Sequence, residues 1–548
     1  MKSPKIYGFA FIVLFMSMLF TACGSKDSTS TDTPSTSAVD TTTISGSIYA
    51  APVANASVIV TDDSGSTLAG PVTTLSDGSY SINIPTSALA NTIRFESDGG
   101  TFDDEASEVN TPAGKLSAIV EGGALTTGSA VHLDPSSTIV HDMVTSGSGT
   151  SLSNAKAAFN ALFGFTPDTS LQPLNTAPTG TMNQPHRLRA LRAAAFSQMA
   201  KDLGLTPGQQ FDLLKAIGLD FADDGVLNGS GPAVNGISVP EDIQTRFESA
   251  LVTFMTNTTR NHTGLTPDQI GDLPFGKVAV TNSYIVKYLP GMMKPAQGKT
   301  MFAIQLINRS DKTPATGKTI TLMPMMHMSA MKHASPVDVV VEDTANPGTY
   351  KCTVYYLMAS GAGMGYWDLK VKIGGSGGMG MGGETAVFFP TVGMAMGTNT
   401  VRATLKGDND IISNMTGTEK RSYYLFNDGL SGMAGSYTFK LFIAAKENMA
   451  MSYPALSVGT VLSNGTGTVA VTTMNVQASS DGGLNWITAS DDTKGHWSIP
   501  GITNLVSGST GTVFVKMNVN GEDKTTDGLV SSASGTKGYA TFVIKPGM

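Results

Sequence analysis

Short runs in which apolar and polar residues alternate, each stopped by glycine, asparagine, aspartate or serine, recur along most of this chain. TMFAIQLINR, TYKCTVYYLM, YWDLKVKI, SYTFKLFIAA and GTVFVKMNVNG are typical. A period of two sends successive side chains to opposite faces, so each run reads as a strand with one buried face. Many such short runs separated by turn residues read as β-sandwiches. The expected fold class is therefore mainly β, a multi-domain set of β-sandwiches, with one inserted helical region.

That region is where the pattern breaks. DPSSTIVHDMV, SNAKAAFNALFG, PHRLRALRAAAFSQMAKDLG, TPGQQFDLLKAIG and PEDIQTRFESALVTFMTN carry helical spacing, and several open on Asp, Ser, Thr or Pro and close on Gly. The expected domains are a signal peptide at 1–22, a disordered tether at 23–43, a small β-domain at 44–128, helices at 129–272, a methionine-rich sandwich at 273–399 and a last sandwich at 400–548. Within the helical part, Asp220, Asp223, Asp224 and Asn228 faintly suggest a calcium loop. They lack the alternating acidic order and closing glutamate, so a capped turn is expected.

The first residues bear on the compartment. Lys2 and Lys5 precede the apolar stretch Ile6 to Phe20, too short for a stable span, and Leu19-Phe20-Thr21-Ala22-Cys23 follows. This resembles a bacterial lipoprotein signal, which implies cleavage before Cys23, lipidation there and an extracytoplasmic place on the outer membrane. Only 14% of residues are charged and the formal net charge is −8, so no basic footprint for nucleic acid exists. Cys352 then has no partner in the chain and is expected to be a buried thiol, with metal ligation the less favoured reading.

No enzyme motif survives its context. Gly374-Gly375-Ser376-Gly377-Gly378 matches G-x-S-x-G, yet it lies between expected strands, whereas a nucleophile elbow joins a strand to a helix. Ser479-x-Asp481-Gly482-Gly483-x-x-Trp486 matches the structural Asp-box turn. Tyr350, two residues before Cys352 and just after a turn, fits the tyrosine corner of an immunoglobulin-like sandwich. No catalytic residue is assigned.

The methionines carry the functional signal. Of 28 in the chain, 14 fall between Met292 and Met396, and TLMPMMHMSAMKHASP holds five of them with His327 and His333. Thioether sulfur is a soft neutral ligand suited to Cu(I), and imidazole also accepts copper. Most of these methionines read as lying in connections rather than strands. If successive strands alternate in direction, the connections at 291–298, 324–335, 359–365 and 394–396 gather at one end of the sandwich. The candidate copper ligands are Met325, Met326, His327, Met328, Met331 and His333, with Met358, Met364, Met394 and Met396 converging on them.

Two resemblances add to this reading. Gly46, the Val53–Val58 stretch and Thr74 to Tyr80 resemble the carboxypeptidase regulatory-like (transthyretin-like) domain, which implies a non-catalytic sandwich. The MPMMHM run, the Gly348-x-Tyr350 turn and Met358 through Tyr366-Trp367-x-Leu369-x-Val371 resemble the YtkA-like/FixH-like family. That resemblance implies copper handling. The expected function is Cu(I) sequestration or delivery by an anchored, non-enzymatic protein, with a copper-receiving protein as partner. The alternative is a surface scaffold or adhesion lipoprotein whose Met-rich tip binds a protein.

Overall fold

Strand pairing follows the period-two pattern from Thr41 onward. The computed structural model describes residues 39–147, 149–178, 183–374, 383–414 and 417–547. The signal segment, Cys23 and most of the tether fall outside these residues, as do Met379 and Met381. The tether ends earlier than the sequence implies. Thr41, Thr42 and Thr43 belong to β1 (Thr41–Ser47), because β-branched threonines pair in register with β4 (Ser79–Pro85). Facing that pair is a sheet in the order β3 (Thr67–Thr73), β2 (Ser57–Asp62), β5 (Thr92–Asp98) and β8 (Leu116–Glu121), with a small hairpin, β6 (Thr101–Asp103) and β7 (Asn110–Pro112), at its side.

Helices follow, among the described residues α1 (Pro135–Thr145), α2 (Leu152–Phe163), α3 (Gln184–Asp202), α4 (Gln209–Asp224) and α5 (Ile243–Met255). Their ends show why they form where they do. Asp134 accepts from Ser137 N at 2.8 Å in a capping box, and Ser151 caps α2, which stops at left-handed Gly164. The faint calcium-like stretch is a capped turn. Both Asp220 carboxylate oxygens accept backbone N–H groups, from Asn228 and Gly229 on one and Gly231 on the other. The helices and the first sandwich share one continuous hydrophobic core, so they pack as one body.

A buried carboxyl lies at their junction. Glu105 Oε1 accepts from Tyr49 Oη at 2.9 Å and Asn175 Nδ2 at 3.0 Å, while Oε2 is buried with no partner among the described residues. Burial pushes its pKa up to about 7 from 4.5. The folded state thus favours the protonated form, and stability falls as pH rises through that interval, by about 3 kcal/mol in all. Glu105→Gln keeps the acceptor for Tyr49 and removes the titration. Thermal midpoints between about pH 5 and about pH 8 should fall less in the variant than in the parent. An equal fall in both would contradict the assignment.

Among the described residues, the methionine-rich sandwich has nine strands in two sheets. One runs β14 (Val341–Glu342), β15 (Thr349–Tyr356), β11 (Gly298–Asn308), β10 (Tyr284–Pro290) and β9 (Val278–Val280). The other runs β13 (Lys332–Ala334), β12 (Ile320–His327), β16 (Tyr366–Ile373) and β17 (Glu384–Phe388). The tyrosine corner forms as expected: Tyr350 Oη donates to Ala315 O and accepts from Lys318 N, each at 2.9 Å. Cys352 lies in the core beside it, where burial pushes the thiol up to about 12.

The last sandwich contains two long strands that alternation does not reveal, β18 (Arg402–Asn414) and β19 (Gly417–Met433), paired with β20 (Ser436–Ala445). It docks on the methionine-rich sandwich through Tyr355, stacked on Phe442 at 4.1 Å, and through an ionic joint. Asp428 accepts from Tyr355 Oη at 2.8 Å, pairs with Lys299 at 2.8 Å and receives His496 at 3.1 Å. The other His496 nitrogen reaches Asp338 at 3.2 Å, and these two carboxylates push the imidazole up to about 10.

Candidate metal centre

The expected loop at 324–335 is a hairpin. β12 runs to His327, turns where Met328 N donates to Met331 O at 3.0 Å, and returns as β13. Burial alternates along β12, with Leu322, Pro324 and Met326 inward. Methionines spaced by two are therefore sorted to two faces. Met325 and His327 face out of the sandwich, whereas Met326 faces in and is fully buried.

The outward pair is already engaged. Met325 packs into the core between this sandwich and the last one, against the cluster of Ala334, Tyr355, Phe426 and Phe442. His327 Nε2 contacts Asp368 Oδ2 at 2.8 Å, and its ring stacks on Tyr366 at 4.8 Å and 7°. His327 and His333 therefore do not share a site, contrary to the sequence expectation, because they lie on opposite faces of one sheet. Asp368, its partner from β16, carried no sequence signal.

The inward face forms a row. His333, Met326 and Trp367 lie side by side on β13, β12 and β16, as the strand register dictates. Met358, which follows β15, comes in from the opposite sheet. Its carbonyl accepts from Trp367 Nε1 at 3.1 Å and its sulfur lies 3.4 Å from His333 Nε2. Met328 and Met364 are half-buried against the same core. Above them Gly365 (φ +110°) passes so close to β12 that a Cβ would lie 3.3 Å from Met326 Cε and 2.0 Å from His327 O. Only glycine permits that approach.

The protonation of His333 follows from its partners. Nδ1 lies 2.8 Å from Ala334 O, and a carbonyl can only accept, so Nδ1 carries the proton. Burial, helped by Arg402 and Lys446, holds the ring below the usual histidine range and keeps it neutral. Nε2 thus presents a lone pair to the Met358 thioether, which has only lone pairs to offer. Two Lewis bases face each other with no proton between them. For comparison, zinc bonds of about 2.0 Å to imidazole nitrogen and about 2.3 Å to thiolate sulfur, opened to a tetrahedral angle, separate two ligand atoms by about this distance.

Backbone bonds link the connections after β10, after β15 and after β17. Ser360 N donates to Val392 O at 2.8 Å, and Gly393 exchanges two bonds of 2.9 Å with Pro295 and Gln297. The side chains divide differently. Met331, Met394 and Met396 are exposed at 49%, 63% and 89%, on the outside of the pole where the inner row is buried. Among the described residues, no group of three or more His, Cys, Asp and Glu could hold a metal ion.

No family model matches the chain, and no curated protein matches it. Among solved structures, S. aureus TarS is similar at 13% identity and TM-score 0.15, covering 58% of this chain and 59% of that one. The chain therefore spans about three-fifths of that structure's length. Tandem Ig repeats of Dlar match at 9% identity and TM-score 0.12, over 44% of this chain and 93% of theirs. A stretch of titin domains matches at 7% identity and TM-score 0.11, over 44% and 94%. By its own sheet topology, the chain is a mainly β protein of antiparallel, immunoglobulin-like sandwiches with an inserted helical region.

Proposed function

We propose that this chain binds Cu(I) at the inner row, with His333 and Met358 as the first two ligands and Met326, Met328 and Met364 as the thioethers that complete the set. It acts in sequestration or delivery, without catalysis, as an extracytoplasmic lipoprotein anchored through Cys23. The observation that carries this reading is the neutral Nε2 of His333 facing the Met358 sulfur at 3.4 Å. Soft neutral donors in a low-dielectric pocket favour a monovalent soft ion over hard divalent ones. The resemblance of the MPMMHM run and the Tyr366-Trp367 strand to the YtkA-like/FixH-like family points the same way, as does the resemblance of the first sandwich to a non-catalytic spacer.

Cu(I) titration against a competing chelator tests it. His333→Phe keeps a ring against Trp367 and removes the nitrogen, so affinity should fall by about 100-fold or more. Equal affinity in parent and variant would sink the assignment. The alternative, a scaffold whose Met-rich tip contacts a protein, is favoured by the exposure of Met292, Met293, Met394 and Met396. It predicts no tight copper binding at all.

A further inference from the structure

Part of one strand edge in the last sandwich has no neighbour. β18 accompanies β19 only as far as Arg402, opposite Phe426, after which Asn427 N donates to Val401 O at 3.0 Å. The chain before Val401 belongs to the other sheet, where Thr400 N donates to Val543 O at 2.8 Å. β19 runs on to Met433 paired with β20 alone.

The alternation of an antiparallel ladder decides which backbone groups this leaves free. Met433 and Ser436 flank a two-residue turn, so this pair, Ser431 with Thr438 and Gly429 with Lys440 exchange the bonds to β20. Leu430 and Gly432 therefore turn their N–H and C=O groups outward, and nothing among the described residues meets them. The stretch Leu430–Met433 carries neither a charge nor a proline, the usual means of blunting an edge.

A cleft of about 620 Å³ lies along this edge. Leu430, Gly432, Met433 and Tyr437 line it from the β19–β20 hairpin, and Ile544 and Lys545 from the end of the other sheet. The tail beyond them bonds elsewhere: Pro546 O accepts from Gly508 N at 3.0 Å and Gly547 O from Ser507 Oγ at 2.7 Å. Lys545 is the one charged residue of the lining, and it is exposed. A peptide backbone offers N–H and C=O groups at the ~7 Å two-residue repeat that separates Leu430 from Gly432.

We infer that this edge takes an extended, acidic peptide segment of a partner protein as an added strand. Alternate apolar side chains enter the cleft toward Tyr437 and Ile544, and an Asp or Glu lies beside Lys545. The inference does not rest on the copper reading.

Panning a phage-displayed library of random seven-residue peptides against the full chain tests it. Enriched peptides should alternate apolar and polar residues and carry a carboxylate, and a labelled copy of the most enriched is then measured by fluorescence anisotropy. Leu430→Pro removes an outward N–H and leaves the bonds to β20, so binding should weaken by about fivefold to tenfold. Lys545→Glu should weaken it several-fold at low salt and less at high salt. Should Leu430→Pro lose the fold, Lys545→Glu alone decides. No enrichment, or a peptide whose binding neither variant changes, overturns the inference. So does a dimer that Leu430→Pro abolishes in place of peptide binding, because the edge would then belong to a second copy.

Discussion

A chain carrying Met326→Leu, Met358→Leu and Met364→Leu together is expected to bind Cu(I) at least about a thousandfold more weakly than its parent, a loss of about 4 kcal/mol. Its fold should survive. Leucine matches methionine in volume, and such exchanges cost under about 1.5 kcal/mol each in a core. The inner row keeps its apolar contacts and loses only sulfur lone pairs. Competition with a chelator reads the affinity, and near-ultraviolet circular dichroism reads the packing around Trp367. Retained affinity would remove the thioethers from the account. Lost affinity with an altered aromatic spectrum would instead show that packing had been disturbed, and single exchanges would then be compared.

Gly365→Ala should have the largest effect on stability of any single methyl addition at the pole. The new Cβ would lie 2.0 Å from His327 O, at a backbone φ of +110° that alanine rarely adopts. The carbonyl cannot easily yield, because His327 sits opposite Tyr366 in the β12–β16 ladder. A destabilisation of about 3 kcal/mol or more is expected, from backbone strain and the clash together. Copper affinity should fall with it, since the end of β12 carries Met326. Gly363→Ala is the comparison: φ is +79° but nothing lies within 4 Å, so only the left-handed strain of about 1–2 kcal/mol applies. Denaturant unfolding of both variants decides the matter, and equal stability would contradict the close packing described at Gly365.

Much of the architecture is written locally. TYKCTVYYLM, YWDLKVKI and SYTFKLFIAA become strands because alternation and turn residues agree. α1 and α2 begin at Asp134 and Ser151 because those side chains take up free backbone donors. The strands β18 and β19 are not legible in this way. A run of Lys406, Gly407, Asp408, Asn409 and Asp410 interrupts the period, and a register shift between Lys406 and Ile411 absorbs it. The polar residues are reconciled only in the fold, where fully buried Arg421 meets Asp410 at 2.8 Å and the carbonyls of Lys446 and Ser463.

The candidate site was legible in composition and in the gathering of connections, but not in its faces. TLMPMMHMSAMKHASP reads as a loop because Pro324 and Ser329 look like interruptions. Yet Pro324 is buried within β12 opposite Leu369, and once the strand is drawn the period of two assigns Met326 inward and Met325 and His327 outward. Asp368 as the partner of His327, and Trp367 beside Met326, are contacts between strands about forty residues apart. Nothing local encodes them. The Met358 sulfur that faces His333 is likewise brought to it only by the folded chain, whereas the carbonyl that fixes its tautomer belongs to the next residue, Ala334.

Copper K-edge X-ray absorption on the full chain loaded with less than one equivalent of Cu(I) reads the ligand set at the inner row. A first shell of thioether sulfur with a single imidazole nitrogen is expected, the nitrogen lost in His333→Phe. A shell of nitrogen and oxygen alone, or copper that a chelator strips as readily as from buffer, would contradict it.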